Sequence, residues 1–159
     1  MSTPTIRMMT PEDRPAVVAL LHDSDPWKQL GYQAGDWELY FAPIPQGRDS
    51  YVADLEGRVA GIAVVRQKFL LGDYLELFAV ADWTRGKGLG KRLLEQIESI
   101  VFARANNLFA CVSDFNTQAR AFYQKLGYQE IGPLPNLLIP GSAEILLRKT
   151  TGPARKRPT

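Results

Sequence analysis

The spacing of apolar and polar residues changes period several times along the chain, and each change marks an element. Thr5–Met8 reads as a short strand. Thr10-Pro11-Glu12 then opens a helix, with Thr10 at the cap, Pro11 in the first turn and acids after it. Ala16, Val17, Leu20 and Leu21 form its apolar stripe. From Asp23 to Gly47 the period is lost, the stretch is dense in aromatics, and Pro26, Gly31, Gly35, Pro43 and Pro45 break it up. Ser50–Leu55 and Arg58–Gln67 are two strands joined at Glu56-Gly57, a hairpin signal. Asp73–Val80 is a third strand, with Tyr74, Glu76, Phe78 and Val80 on one face and Leu75, Leu77 and Ala79 on the other. Both faces are mostly apolar, so this strand is expected to be central and covered on both sides.

The second half alternates more regularly. A loop at Gly86–Gly90 leads into a helix over about Gly88–Arg104, with Leu89, Leu93, Ile97, Ile100 and Val101 on one stripe. Leu108–Val112 is a short buried strand. Asn116 caps a helix that stops at Gly127, with Ala119, Phe122 and Leu126 toward the core. Tyr128–Ile131 and Ser142–Leu147 close the chain as strands around a Pro-rich connection. The resulting order, β-α-(α)-β-β-β-α-β-α-β-β, predicts a mixed α/β domain with helices covering a sheet. A doubly wound dinucleotide fold needs steadier alternation than the hairpin region gives.

Length and composition narrow the function classes. At 159 residues, 45% apolar and 23% charged, the chain is one globular domain with a core of its own. No apolar run is long enough to span a bilayer and no secretory leader is visible, so the expected compartment is the cytoplasm. The single cysteine, Cys111, and the single histidine, His22, exclude an internal disulfide and speak against a metal centre. The +2 net charge becomes −3 once Arg148, Lys149, Arg155, Lys156 and Arg157 are set aside. That −3 belongs to residues 1–147, so the body is mildly acidic; the domain is expected over 1–150, with 151–159 a basic tail expected to be disordered. A nucleic-acid partner is disfavoured by the acidic body, and a homodimer is left open.

Arg85-Gly86-Lys87-Gly88-Leu89-Gly90 sits between a buried strand and the start of an amphipathic helix. Glycines at alternate positions let the backbone turn tightly and approach a ligand. The helix start offers unpaired N–H groups and the positive end of the dipole, an anion site. Arg85, Lys87, Lys91 and Arg92 add positive charge. The string fits neither the P-loop nor the dinucleotide fingerprint. Alone it would be equally at home as a tight strand–helix turn.

In context the sequence resembles the GNAT superfamily of N-acetyltransferases. Arg85, Gly88 and Gly90 match that family's loop signature, Leu75–Val80 precedes it as the family's central strand does, and Lys91-Arg92-Leu93-Leu94 follows it. A second match comes downstream in Asn116, Ala119 and Ala121-Phe122-Tyr123-Gln124-Lys125-Leu126-Gly127-Tyr128. The resemblance covers roughly residues 5–150 and implies a mostly antiparallel sheet with one splayed parallel strand pair, flanked by helices. It implies acetyl-CoA as acyl donor, no metal, and transfer to a primary amine by direct attack in a ternary complex. Phe78, Ala79 and Val80 would hold the pantetheine through main-chain groups, with the Val80 amide near the thioester carbonyl. Arg85, Gly86, Lys87, Gly88, Leu89, Gly90 and Lys91 would hold the pyrophosphate, with Asn116, Ala119 and Tyr123 completing the cofactor site.

Two residues carry the implied catalysis. The family uses a tyrosine at the position of Tyr123 to protonate the departing thiolate, and a phenol with a pKa of ~10 can do so. A half-buried packing tyrosine is the plain alternative. Glu76, the only charge in the Tyr74–Val80 run, is the candidate base, acting directly or through water. A Glu paired with a neighbouring base is its alternative. Trp27, Tyr32, Trp37 and Tyr40 are candidates for an acceptor pocket, or equally for ordinary cap packing. Cys111 reads as a buried inert thiol and His22 as a helix end. A non-catalytic acyl-CoA-binding or regulatory module on the same fold is the competing function.

Overall fold

A computed structural model of the chain describes residues 2–42 and 46–159; Pro43 and Pro45, two of the predicted breaks, lie outside them. The strands form one seven-stranded mixed sheet in the order β1-β2-β3-β4-β5-β7-β6. They are β1 (Thr5–Met8), β2 (Arg48–Leu55), β3 (Arg58–Phe69), β4 (Gly72–Val80), β5 (Asn107–Ser113), β6 (Gln129–Pro135) and β7 (Ala143–Thr150). The helices are α1 (Arg14–His22), α2 (Ala34–Tyr40), α3 (Leu89–Phe102) and α4 (Thr117–Lys125). α2 supplies order inside the stretch that periodicity left irregular. No helix among the described residues is long and apolar enough to cross a membrane.

Contacts divide the chain into two compact units. Unit 1 comprises Met1–Val65 and Leu77–Ile97; unit 2 comprises Arg66–Glu76 and Glu98–Thr159. In unit 1, Val17, Leu21, Trp37, Phe41, Val52 and Ile62 form one buried cluster. The turn before α1 is fastened by Asp13, whose carboxylate accepts from the Thr10 N–H at 2.8 Å, the Thr10 hydroxyl at 3.1 Å and Arg7 at 2.8 Å. Thr10 thus opens a single short turn, Pro11–Asp13, through its own N–H and hydroxyl as donors to Asp13, and the α-helix expected from Thr10 starts only at Arg14. Leu89, Leu93, Leu94 and Ile97 bury the inner side of the start of α3. Gly61 brings the sheet close to that helix: a Cβ there would lie 3.2 Å from Leu93.

Unit 2 contains the parallel pair. Its ladder runs over three pairs, Asp73 with Leu108, Tyr74 with Phe109 and Leu75 with Ala110. Gly72 permits that start, because a Cβ there would come within 2.3 Å of the Asn107 carbonyl. β5 pairs antiparallel with β7 from Asn107–Thr150 to Ser113–Glu144, and β7 with β6. β6 is longer than the sequence pattern predicts and takes in Pro133 and Pro135, which an edge strand tolerates because one side of its backbone has no partner. The tail begins tied down: the Thr151 N–H donates to the Asn106 carbonyl at 2.9 Å and Asn106 Nδ2 donates to the Pro153 carbonyl at 3.1 Å. Arg155, Lys156 and Arg157 are exposed.

Candidate functional site

In unit 1, β4 ends where the Ala81 N–H donates to the Ala60 carbonyl at 2.8 Å, and the buried Thr84 hydroxyl returns to the Ala81 carbonyl at 2.6 Å. The chain then passes through Gly86 (φ 76°) and Gly88 (φ 75°). A Cβ at either would meet no atom within 4 Å, so these glycines answer to backbone conformation and not to crowding. The first intrahelical bond of α3 runs from the Arg92 N–H to the Gly88 carbonyl, at 3.1 Å. Leu89, Gly90 and Lys91 precede it, so their N–H groups have no carbonyl one turn earlier in the helix. Leu89 is buried and anchors the turn, while Arg85 to Gly88 are exposed.

The charges around the loop are solvated. Arg85 Nε sits 2.8 Å from Asp82 Oδ1, and Lys91 Nζ lies 3.9 Å from Glu95. Lys87 and Arg92 are exposed. An exposed turn of open glycines, a helix start and four basic side chains suits the donor set that a pyrophosphate requires. Phe78 and Val80 are half-buried on β4 and Ala79 is buried between them.

The four aromatic candidates also fall in unit 1. Trp37 on α2 is buried, with Trp27 at 5.7 Å, Tyr32 at 5.2 Å and Tyr40 at 5.9 Å between ring centroids. Trp37 belongs to the core cluster and the other three pack against it, so the group closes the core over β2 and β3.

In unit 2, Asn116 Oδ1 accepts from the Ala119 N–H at 3.1 Å and caps α4. At the other end the Gly127 N–H reaches the Gln124 carbonyl at 3.1 Å and the Tyr128 N–H reaches the Tyr123 carbonyl at 3.0 Å. That is a Schellman close, and it needs the positive φ of Gly127, 94°. It also sets the Tyr123 and Tyr128 rings 5.3 Å apart, edge to face. Tyr123 is buried, whereas Ala119, Phe122 and Leu126 are half-buried. The core-facing side of α4 is therefore rotated toward Tyr123 relative to the sequence expectation. Burial pushes the Tyr123 phenol above its ordinary value, so it stays protonated across the neutral range. Tyr128 donates to Glu98 at 2.7 Å, and Glu98 also holds Lys149 at 3.0 Å.

Glu76 is half-buried and Arg66 Nε lies 2.7 Å from its Oε1. It is the single charge of its strand from Tyr74 to Val80, but it has a cation across the hairpin. β4 is also buried on one face only: Asp73, Leu75, Leu77 and Ala79 are buried while Tyr74, Glu76, Phe78 and Val80 are half-buried. The expected cover on both sides is therefore incomplete.

That half-open face holds residues the sequence reading did not single out. Ser113 and Glu144 are opposite each other in the β5–β7 register, both buried, and the Ser113 hydroxyl donates to Glu144 Oε2 at 2.7 Å. Burial raises the Glu144 carboxyl above its ordinary value, the Ser113 hydrogen bond opposes that shift, and the Asp114 charge adds to it. Burial raises both the Tyr74 phenol and the neighbouring Cys111 thiol above their ordinary values. The available signal was an acid placed between Ala143 and the apolar run Ile145-Leu146-Leu147.

Comparison with known proteins gives a consistent picture. The model of the acetyltransferase (GNAT) family matches residues 15–128. An uncharacterized N-acetyltransferase of Methanocaldococcus jannaschii is 35% identical over 101 residues, 62% of this chain and 64% of that protein. The chain spans about six tenths of the length of the first curated relatives it matches. The ribosomal-protein-S18-alanine N-acetyltransferase from Escherichia coli superposes with a TM-score of 0.80 at 19% identity, over 99% of each chain. An aminoglycoside 6′-N-acetyltransferase complexed with coenzyme A gives 0.74 at 20% identity, over 96% of this chain and 99% of that one. At these identities the two solved structures speak for the fold.

Proposed function

Because this chain belongs to the acetyltransferase (GNAT) family, we propose that it transfers an acetyl group from acetyl-CoA to a primary amine in a ternary complex. The observation that carries the proposal is the exposed Gly86–Gly88 turn at the head of α3, inside the region the family model matches. The N–H groups of Leu89, Gly90 and Lys91, with Lys87 and Arg92 beside them, hold the pyrophosphate. Phe78, Ala79 and Val80 offer main-chain groups to the pantetheine, and the Val80 N–H stabilises the oxyanion as the amine attacks. Acetyl-CoA brings an activated thioester.

Tyr123, kept protonated by burial, gives its proton to the departing thiolate. Asn116 and Ala119 fix the start of the helix that carries it. A carboxylate on the half-open sheet face, or a water beside it, takes the proton that the ammonium form must lose; Glu76 is one such carboxylate. The acceptor pocket draws on Trp27, Tyr32 and Tyr40 where their edges reach solvent, with the buried Trp37 packed behind them.

The test is release of free thiol from acetyl-CoA across a panel of primary amines, with the acetylated product weighed by mass spectrometry. Amine-dependent release supports the transferase. Tight coenzyme A binding with no release for any amine favours a non-catalytic acyl-CoA-binding module and overturns it.

A further inference from the structure

Resting on the transferase reading, we propose that Glu144 receives the acceptor's ammonium group and takes its proton, so that the preferred acceptors are primary amines that are cationic at neutral pH. The starting observation is a carboxylate without a cation. Glu144 is 8% exposed, and among the described residues no Lys or Arg pairs with it. Its one hydrogen-bond donor is the neutral Ser113 hydroxyl, at 2.7 Å. A buried carboxylate left in this condition is costly, and a fold has no structural use for the charge that a neutral amide would not serve.

The nearby charges are committed elsewhere. Arg120 is bound to both oxygens of Glu130, at 2.9 Å each, and to the Asp114 carbonyl at 3.1 Å. Asp114 accepts from the Ser142 hydroxyl at 3.0 Å and the Ala143 N–H at 3.1 Å. Glu76 is held by Arg66 at 2.7 Å. A cation from outside is what completes Glu144.

The sheet places an approach beside it. The β5–β7 register puts Ser113 opposite Glu144 and Cys111 opposite Leu146, on one face. Tyr74, opposite Phe109 in the parallel ladder, shares that face. Tyr74 and Cys111 are only half-buried, so the strip is open at their end, and Ser113 and Glu144 lie deeper along it.

The proton balance is simple. An alkylammonium with a pKa near that of lysine, ~10, is almost wholly protonated at pH 7 and has no lone pair to attack with. Transfer of one proton from R–NH3+ to Glu144–COO⁻ gives R–NH2 and Glu144–COOH, and neither partner is left charged in the buried strip. The carboxyl then returns the proton to water before the next turnover. The raised proton affinity that burial gives Glu144 is in the direction this transfer needs.

The experiment compares wild type with Glu144→Gln, which keeps the shape and still accepts from Ser113, using an alkylamine and an aromatic amine that is neutral at pH 7. For the alkylamine kcat/KM should fall by ~30-fold or more, as loss of a proton acceptor does, and recover as pH approaches the amine's own pKa. For the aromatic amine it should stay within about 3-fold, since no proton need be removed before attack. Calorimetric titration with n-butylammonium chloride should show affinity falling at least ~10-fold in the variant, from loss of a charge-assisted hydrogen bond. Equal losses with both amines would mark a structural residue and overturn the proposal, as would unchanged kinetics. If wild type acetylates no amine yet binds n-butylammonium through Glu144, the transferase reading fails and this site stands. If wild type acetylates alkylamines and the variant matches it, this proposal fails and the transferase reading stands.

Discussion

Arg66 Nε lies 2.7 Å from Glu76 Oε1, across the β3–β4 hairpin. Read along its own strand, Glu76 is a lone charge in an apolar run, and that isolation made it a candidate base. Read across the sheet, it is half of an ion pair whose Arg side is well exposed. A carboxylate in such a pair gives up the pair when it takes a proton.

Glu76→Gln is therefore expected to lower turnover by less than about tenfold, well short of the ~100-fold or more that loss of a general base brings. Breaking a half-exposed pair should cost no more than about 1 kcal/mol in stability. Steady-state thiol release and urea denaturation read the two effects, and a 100-fold loss of kcat would return the base role to Glu76.

Tyr123→Phe should lower kcat by about 100-fold and change acetyl-CoA affinity by less than about threefold. The ring contacts with Phe122 and Tyr128 at 5.3 Å survive the change, so the fold should hold. Because burial keeps the phenol above its ordinary value, the wild-type kcat profile should show no loss from Tyr123 ionisation below about pH 10. A variant that turns over normally would remove the acid assignment.

Much of this arrangement could be read in the sequence, because it depends on local rules. The loop from Arg85 to Gly90, the Asn116 cap and the Gly127 stop all act within a turn of their own position, and the structure has all three where the pattern predicts them. What could not be read depends on partners distant in the chain. Arg66 reaches Glu76 only once a hairpin folds, and Ser113 meets Glu144 only through the β5–β7 register, 31 residues apart. α2 was obscured for a different reason: its seven residues show too little of a helical period to stand out among surrounding breaks. The prolines of β6 argued for a loop, and only its place at the sheet edge makes them acceptable in a strand.

Gly88→Ala should raise the KM for acetyl-CoA by about tenfold while kcat stays within about twofold, since a side chain at φ 75° strains a turn that meets the donor and not the acceptor. The added strain should cost about 1 kcal/mol in stability. Space is not the obstacle, because a Cβ there meets nothing within 4 Å. A variant with unchanged KM would show that the loop does not hold the donor.

Asp13 provides a pH test in unit 1. Arg7 first, with Thr10 assisting, holds its carboxyl down to about 2, below the ordinary 3.8. The stabilisation is present above pH 3.8 and is lost as pH falls toward about 2, where the folded state must also take up the proton. Asp13→Asn should cost about 1–2 kcal/mol at pH 7, allowing for the partial exposure of Arg7, and should flatten the acid side of the stability curve. Urea melts from pH 2 to 7 measure both.

Glu144 predicts the opposite slope. Its folded carboxyl lies above the ordinary 4.5, so the folded state holds a proton that the unfolded chain has already released. Below pH 4.5 both states are protonated and the carboxyl costs nothing in charge. As pH rises from there through the folded value, the native state must ionise a buried group while the unfolded chain ionises it in water, and wild type loses stability. Glu144→Gln removes that slope. The variant should match wild type near pH 4 and be the more stable of the two at pH 7, measured by urea melts at each pH. Gain of stability together with loss of alkylamine turnover is the pairing expected of a charge kept for chemistry. A variant less stable than wild type at pH 7 would instead mean that the Ser113–Glu144 bond serves the fold.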